Sequence, residues 1–111
     1  MEIMHKIWLE KNGKVIFGKG RDELLKTIDE CQSLNAAAKK LNMSYRAAWG
    51  RLRASEERMG MKLVEVDAHG KGMSLTKEAR TIIGSFDKLE EKIAKLLNKE
   101  ASELSALLGR H

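Results

Sequence analysis

The sequence contains no proline, one cysteine and few aromatic residues: two tryptophans, two phenylalanines and one tyrosine. Without proline nothing forces a helix to break, so a helix-rich chain with short connections is the expectation. The single cysteine, Cys31, excludes an internal disulfide, and a thiolate zinc site lacks its second ligand. Cys31 is expected to be a small buried hydrophobe. No apolar run approaches the roughly 18 residues of a membrane span, and the N-terminus lacks the apolar stretch and small-residue cleavage site of a secretory signal. The chain is therefore expected to be soluble and cytoplasmic.

Catalytic equipment is also scarce. His5, His69 and His111 have no serine or cysteine arranged around them as a catalytic set. Gly18-Lys19-Gly20 and Gly70-Lys71-Gly72 are too short for a phosphate-binding loop and lack its following lysine and hydroxyl. Glu65, Asp67 and His69 alternate along a predicted strand and are loosely compatible with a metal, but such residues near a hairpin tip are usually solvated. No metal, cofactor, small-molecule site or enzymatic activity is expected.

What is present is charge, unevenly placed. One third of the 111 residues are charged and the formal net charge is +5. Residues 1–34 hold six basic and six acidic side chains, residues 35–80 hold ten and five, and residues 81–111 hold five and five. The excess is wholly central, the layout of a local footprint for a polyanion rather than of a surface with both signs interspersed.

The order of elements follows from local signals. Ile3 to Leu9 and Val15 to Phe17 flank Asn12-Gly13, whose tolerance of positive φ marks a type I′ hairpin ending at Gly18-Lys19-Gly20. Leu24, Leu25 and Ile28 recur at helical spacing over residues 21–31. Ser33 caps a second helix, striped by Leu34, Ala37, Ala38 and Leu41 and ending at Asn42. Ser44 caps a third helix that runs to Met59 and stops at Gly60. Joined by so tight a turn, the second and third helices must cross steeply. Residues 62–67 and 73–75 read as a second hairpin around a glycine-rich loop, and Thr76 caps a long helix through about Asn98, with a separate short helix possible in the tail. The fold expected is mostly α with small β hairpins: a winged helix-turn-helix over 1–75 with an N-terminal β-hairpin, then a long C-terminal dimerisation helix and tail over 76–111.

Each part suits reading duplex DNA, whose major groove admits one α-helix. At 100° per residue, Tyr45, Ala48, Trp49, Leu52, Ser55 and Met59 share an apolar arc of about 120°, leaving Arg46, Ala47, Gly50, Arg51 and Arg53 on the other side. Arg46 and Arg53 are the candidates for guanine edges, and Gly50 and Ala47 keep that face low. Tyr45 and Trp49 sit at the edge of the arc, where core packing with the polar tip outward is expected first and phosphate contact second. The Ser44 hydroxyl suits both a helix cap and a phosphate. In the wing, Lys71 is a backbone or minor-groove candidate and His69 a weaker one.

The long helix carries a second pattern. Leu75, Ala79, Ile82, Phe86, Leu89, Ile93 and Leu96 alternate at four and three, a heptad seam flanked by Lys88, Glu90, Glu91, Lys92 and Lys95. Early positions can dock on their own domain, but Leu89 to Leu96 extend past it. Ile82, Phe86, Leu89, Ile93 and Leu96 are thus the dimerisation candidates, and a homodimer implies a palindromic operator.

Ser44-Tyr45-Arg46-Ala47-Ala48-Trp49 resembles the S-Y-[KR]-x-A-W recognition-helix signature of the N-terminal domains of molybdate-responsive, ModE-type transcriptional regulators, relatives of LysR-type helix-turn-helix domains. Ile7-Trp8-Leu9-Glu10, Gly13-Lys14-Val15 and Phe17-Gly18 resemble their opening hairpin. Leu63-Val64-Glu65, Gly70-Lys71-Gly72 and Leu75-Thr76 resemble the wing and the start of the linker helix, so the likeness spans residues 3 to 95. The chain departs from the family at Gln32-Ser33-Leu34-Asn35, where Gly-Ser-Ile-Ser is frequent, and in a wing poorer in glycine. Family members continue into a molybdate-binding module, and no residue here takes over that role. The expectation is a homodimeric, sequence-specific regulator binding double-stranded DNA, without an effector domain of its own. A protein-interaction module is the alternative. Double-stranded RNA fits the charge but not the groove.

Overall fold

The computed structural model describes residues 1–109; Arg110 and His111 lie outside the described residues. Eight elements follow in order: β1 (Trp8–Lys11), β2 (Lys14–Gly18), α1 (Lys19–Cys31), α2 (Leu34–Lys40), α3 (Tyr45–Met59), β3 (Val64–Val66), β4 (Met73–Leu75) and α4 (Lys77–Leu108). Strands β1 and β2 form one antiparallel ribbon, β3 and β4 another.

The first hairpin turns at Asn12 and Gly13, both left-handed (φ 54° and 77°), as the dipeptide predicts. Its register pairs Leu9 with Phe17 and Lys11 with Lys14, with a bulge between Leu9 and Glu10. The predicted strand opened at Ile3, but β1 opens at Trp8. Since β2 ends at Gly18 and the chain turns at once into α1, residues before Trp8 have no partner strand. That N-terminal segment instead reaches the distal half of α4, where Met1 shares a shallow groove with Asn98, Ala101, Ser102 and Ser105.

Caps set the helix ends. The hydroxyls of Ser33, Ser44 and Thr76 accept from the N–H groups of Ala36, Ala47 and Ala79 at 3.0, 3.0 and 3.1 Å. Gly60 terminates α3 in the left-handed region at φ 69°. The expected pause near Asn98 does not occur, and α4 runs unbroken to Leu108. No glycine or proline lies between Gly84 and Gly109, so nothing in the tail stops the helix. Its 32 residues make a rod of about 48 Å in a molecule 64 Å long.

The core gathers Phe17 from the hairpin, Leu24, Leu25 and Ile28 from α1, Leu34, Ala37 and Ala38 from α2, and Ala48 and Leu52 from α3. Leu63, Leu75, Ala79, Ile83 and Phe86 complete it. Phe86 stands edge-on to Phe17, ring centres 4.9 Å apart. Cys31 is half-buried with a free thiol. The base of the second hairpin is tied to the end of α1, where Met73 N–H donates to the Gln32 carbonyl at 3.0 Å and Leu75 N–H to Asp29 Oδ1 at 3.3 Å, and α4 is tied to α1 by Arg80, which grips both oxygens of Asp29 at 2.9 Å. The Arg80 contact, helped by the Leu75 N–H, holds the Asp29 carboxyl below the usual carboxylate range against the opposing effect of burial. Among the described residues no helix is long and apolar enough to cross a membrane.

Candidate nucleic-acid interface

Helix α3 buries Ala48, Leu52 and Ser55 against the core and presents Arg46, Ala47, Gly50 and Arg53 outward, all exposed. A Cβ placed on Gly50 would meet nothing within 4 Å, so the outer face is open and low where a duplex would approach. Neither Arg46 nor Arg53 has a carboxylate partner among the described residues, whereas Lys26, Lys40, Arg80 and Lys95 each do.

Tyr45 and Trp49 correct the first expectation for them. They are 54% and 43% exposed and form no part of the core. The buried stripe is narrower than the sequence arc because α3 packs through two small residues, Ala48 and Ser55, around Leu52. The Arg53 guanidinium lies 5.5 Å from the centre of the Trp49 ring, so the indole braces that arginine on the exposed surface.

Arg51 is exposed as well, but it does not share the outer face with Arg46 and Arg53. A Cβ on Gly20 would lie 3.6 Å from its Nη1, which places it on the flank turned to α1. Two arginines that sequence reasoning missed lie there. Arg21 donates from Nε to Ser55 Oγ at 2.7 Å, and Arg58 donates from Nη1 to the Val15 carbonyl at 2.8 Å. Burial, and then the nearby charges of Arg58 and Arg51, lower the pKa of Arg21. The seven-residue spacing of Arg51 and Arg58 was a readable sign of a shared flank; the arrival of Arg21 from 34 residues away was not.

The second hairpin is organised by Asp67. Its Oδ1 accepts the N–H groups of His69 and Lys71 at 3.0 and 2.9 Å, and a Cβ on Gly72 would come within 2.9 Å of Oδ2. The carboxylate therefore shapes the tip that displays Lys71 and His69 to solvent, and a side chain at Gly72 would force it aside. Glu65, Asp67 and His69 do not converge as ligands; the one acidic grouping among the described residues is Asp22, Asp87 and Glu90. Its centre is already held by a lysine ammonium, Lys26 Nζ, 3.0 Å from both Asp22 and Asp87.

Along α4 the heptad positions divide. Phe86 is 3% exposed and committed to its own core, so its placement in a seam between chains is corrected. Ile82 and Ile93 are half-buried, and Leu89 and Leu96 stand 40% and 57% exposed. The exposed line continues through Leu104, Leu107 and Leu108, beyond the predicted seam.

Residues 23–80 match the model of the bacterial regulatory helix-turn-helix protein, lysR family. The chain is 36% identical over 94 residues to the transcriptional regulator ModE of Haemophilus influenzae, covering 79% of this chain and 37% of that protein. It is 31% identical over 100 residues to the molybdenum-pterin-binding protein MopB of Rhodobacter capsulatus, covering 87% and 37%. The chain thus spans little more than a third of the length of these curated relatives. Among solved structures, the DNA-binding domain of BenM in complex with benA site 1 DNA superposes with a TM-score of 0.58 at 20% identity, over 78% of this chain and 94% of that one. The matched segment runs from the first turns of α1 through α2, α3 and the second hairpin into α4, just over half of the sequence. On that match, the chain belongs to the LysR family of bacterial regulatory helix-turn-helix proteins.

Proposed function

We propose that this chain is the DNA-reading part of a transcriptional regulator and that it acts as a homodimer on a palindromic operator. The observation that carries the reading is the outer face of α3, where Arg46 and Arg53 project on either side of Gly50 without carboxylate partners. A guanidinium free of internal ion pairs keeps its planar fork for guanine O6 and N7. Ser44, Tyr45, Ala47 and Trp49 at the start of α3 line the path to the flanking phosphates, and Lys71 with His69 offers a contact to the neighbouring groove. Arg51 serves the phosphate backbone on the α1 flank. The fold shared with a domain solved on DNA, and the similarity to a protein named as a transcriptional regulator, support the same reading.

In this reading residues 1–75 contact DNA and residues 76–111 pair two chains. Leu89, Ile93 and Leu96 carry the pairing, Ile82 stands at its edge, and the exposed leucines further along α4 extend it. Two-fold symmetry then sets half-sites a whole number of helical turns apart. No residue of this chain is assigned an effector.

Selection of bound duplexes from a random library tests specificity and palindromy together, and an inverted repeat is the expected product. On the selected duplex, Arg46→Ala and Arg53→Ala each remove about 1–3 kcal/mol of discrimination against a changed base pair. Recovery of unrelated sequences, with both variants as selective as the wild type, refutes the proposal.

A further inference from the structure

We propose that the N-terminal hairpin and the adjoining flank of α1 and α3 form a second seat for the sugar-phosphate backbone of duplex DNA, through Lys11, Lys14, Arg21, Arg51 and Arg58. The inference rests on the DNA-binding reading and deepens it. The seat lies away from the wing. Glu56, whose Oε2 accepts the Leu63 N–H at 2.8 Å, marks the wing side of α3, and Arg51 and Arg58 stand roughly 150° round the helix from it. A helix in the major groove has a phosphate strand on each flank, so a protein with Lys71 at its wing tip on one side and this cluster on the other would grip both walls.

The cluster is unlike the other basic sites of the molecule. Lys26, Lys40, Arg80 and Lys95 are each matched to a carboxylate, but Arg21, Arg51 and Arg58 converge with none among the described residues. Their internal contacts are neutral oxygens and occupy only part of each guanidinium: Arg21 uses Nε on Ser55, Arg58 uses Nη1 on the Val15 carbonyl. Arg51 and Arg58 are exposed and Arg21 is half-buried. Next to Arg58 a shallow groove is lined by Lys11, Asn12, Lys14 and Glu57, so the turn of the first hairpin adds two ammonium groups, with Glu57 the one acidic side chain in that groove. Like charges held together without a counter-charge repel in the free protein, and an anion relieves that repulsion. A polyanion with regularly spaced phosphates relieves it at several points at once. Lys11 and Lys14, directly opposite each other in the register, are also like charges across a strand pair, which the hairpin tolerates at some cost.

The test compares the full chain with its Lys11→Gln/Lys14→Gln/Arg58→Gln variant, by fluorescence anisotropy on the selected operator and on a duplex of random sequence, between about 50 and 200 mM salt. The expected result is a salt slope shallower by about 0.9 for each phosphate that is no longer neutralised, up to about 2.7 for the triple variant, with equal weakening on both duplexes. The base preference of the selected motif stays the same, and lengthening the duplex past the recognition site tightens binding by the wild type only. Arg58→Lys retains most of the slope. Should the triple variant fold poorly, Lys11→Gln/Lys14→Gln alone leaves every Arg58 hydrogen bond in place and lowers the slope by about 1.8. An unchanged slope in the variants, with wild-type binding intact, overturns this inference and leaves the DNA reading standing. A wild-type chain with no affinity for any duplex overturns both.

Discussion

Phe86→Ala separates a core residue from a seam residue, two roles that the heptad pattern alone cannot tell apart. The ring is 3% exposed and edge-on to Phe17 at 4.9 Å, so truncation removes nearly a full aromatic side chain from the interior of each protomer. Such truncations cost about 3–5 kcal/mol, of which the aromatic pair accounts for about 0.5–1.5. For a domain near this size each kcal/mol lowers Tm by about 4–8 °C, so Tm should fall by roughly 12 °C or more. Leu96→Ala makes the contrast. At 57% exposure its side chain is mostly in water within one protomer, and its removal there costs under about 1 kcal/mol. The assay is thermal unfolding over a hundredfold range of protein concentration, with sedimentation equilibrium alongside. The Phe86→Ala deficit should be nearly the same at every concentration. The Leu96→Ala deficit should shrink as concentration rises, because mass action restores the pair. A Phe86→Ala chain that melts like the wild type but dissociates more readily would refute the assignment of that ring to the protomer core.

Two further outcomes are expected. Ser44→Ala removes the acceptor for the Ala47 N–H and should cost about 1 kcal/mol; Ser44→Asp restores the cap and the melting temperature yet weakens duplex binding, because a carboxylate repels the phosphate, and equal binding by both would show that no phosphate lies there. The Asp29 carboxyl is held below its usual range by the Arg80 hydrogen bonds, so its contribution to stability is present above the unfolded pKa of about 3.9 and is lost as pH falls through the lower folded value. Arg80→Gln should therefore be less stable than the wild type at pH 7, by no more than about 1 kcal/mol for so exposed a pair, and the gap in denaturant titrations should close in strong acid. Asp22 works in the opposite direction: burial, with Asp87 nearby, raises its pKa against the pull of Lys26, so its ionised form costs stability as pH rises. The difference between the two proteins, rather than either curve alone, isolates Asp29, and a gap that persists undiminished in acid would count against the ion pair.

Local chemistry was legible where one or two residues decide the backbone. Asn12-Gly13 announced the first turn, Ser33, Ser44 and Thr76 the helix starts, and Gly60 the end of α3, because each acts on groups within four residues of itself. The sequence reading ended the long helix near Asn98, whereas α4 runs on to Leu108 with no glycine or proline between Gly84 and Gly109 to stop it. The candidate interface was legible in outline. Arg46, Gly50 and Arg53 share a face by the period of the helix alone, and that face is outward because Ala48 and Leu52 oppose it.

The order of elements, their punctuation and the central excess of positive charge were thus settled by the amino-acid order alone, because all three depend on neighbours along the chain. Packing decided the rest, since which arc of an amphipathic helix is covered depends on the width of whatever lies against it. Small residues at the α3 contact left Tyr45 and Trp49 in solvent, and Phe17, brought from the far end of the chain, drew Phe86 out of the seam and into the core. Ser55, meeting Arg21 across 34 residues, assembled an arginine cluster that no window of sequence contains.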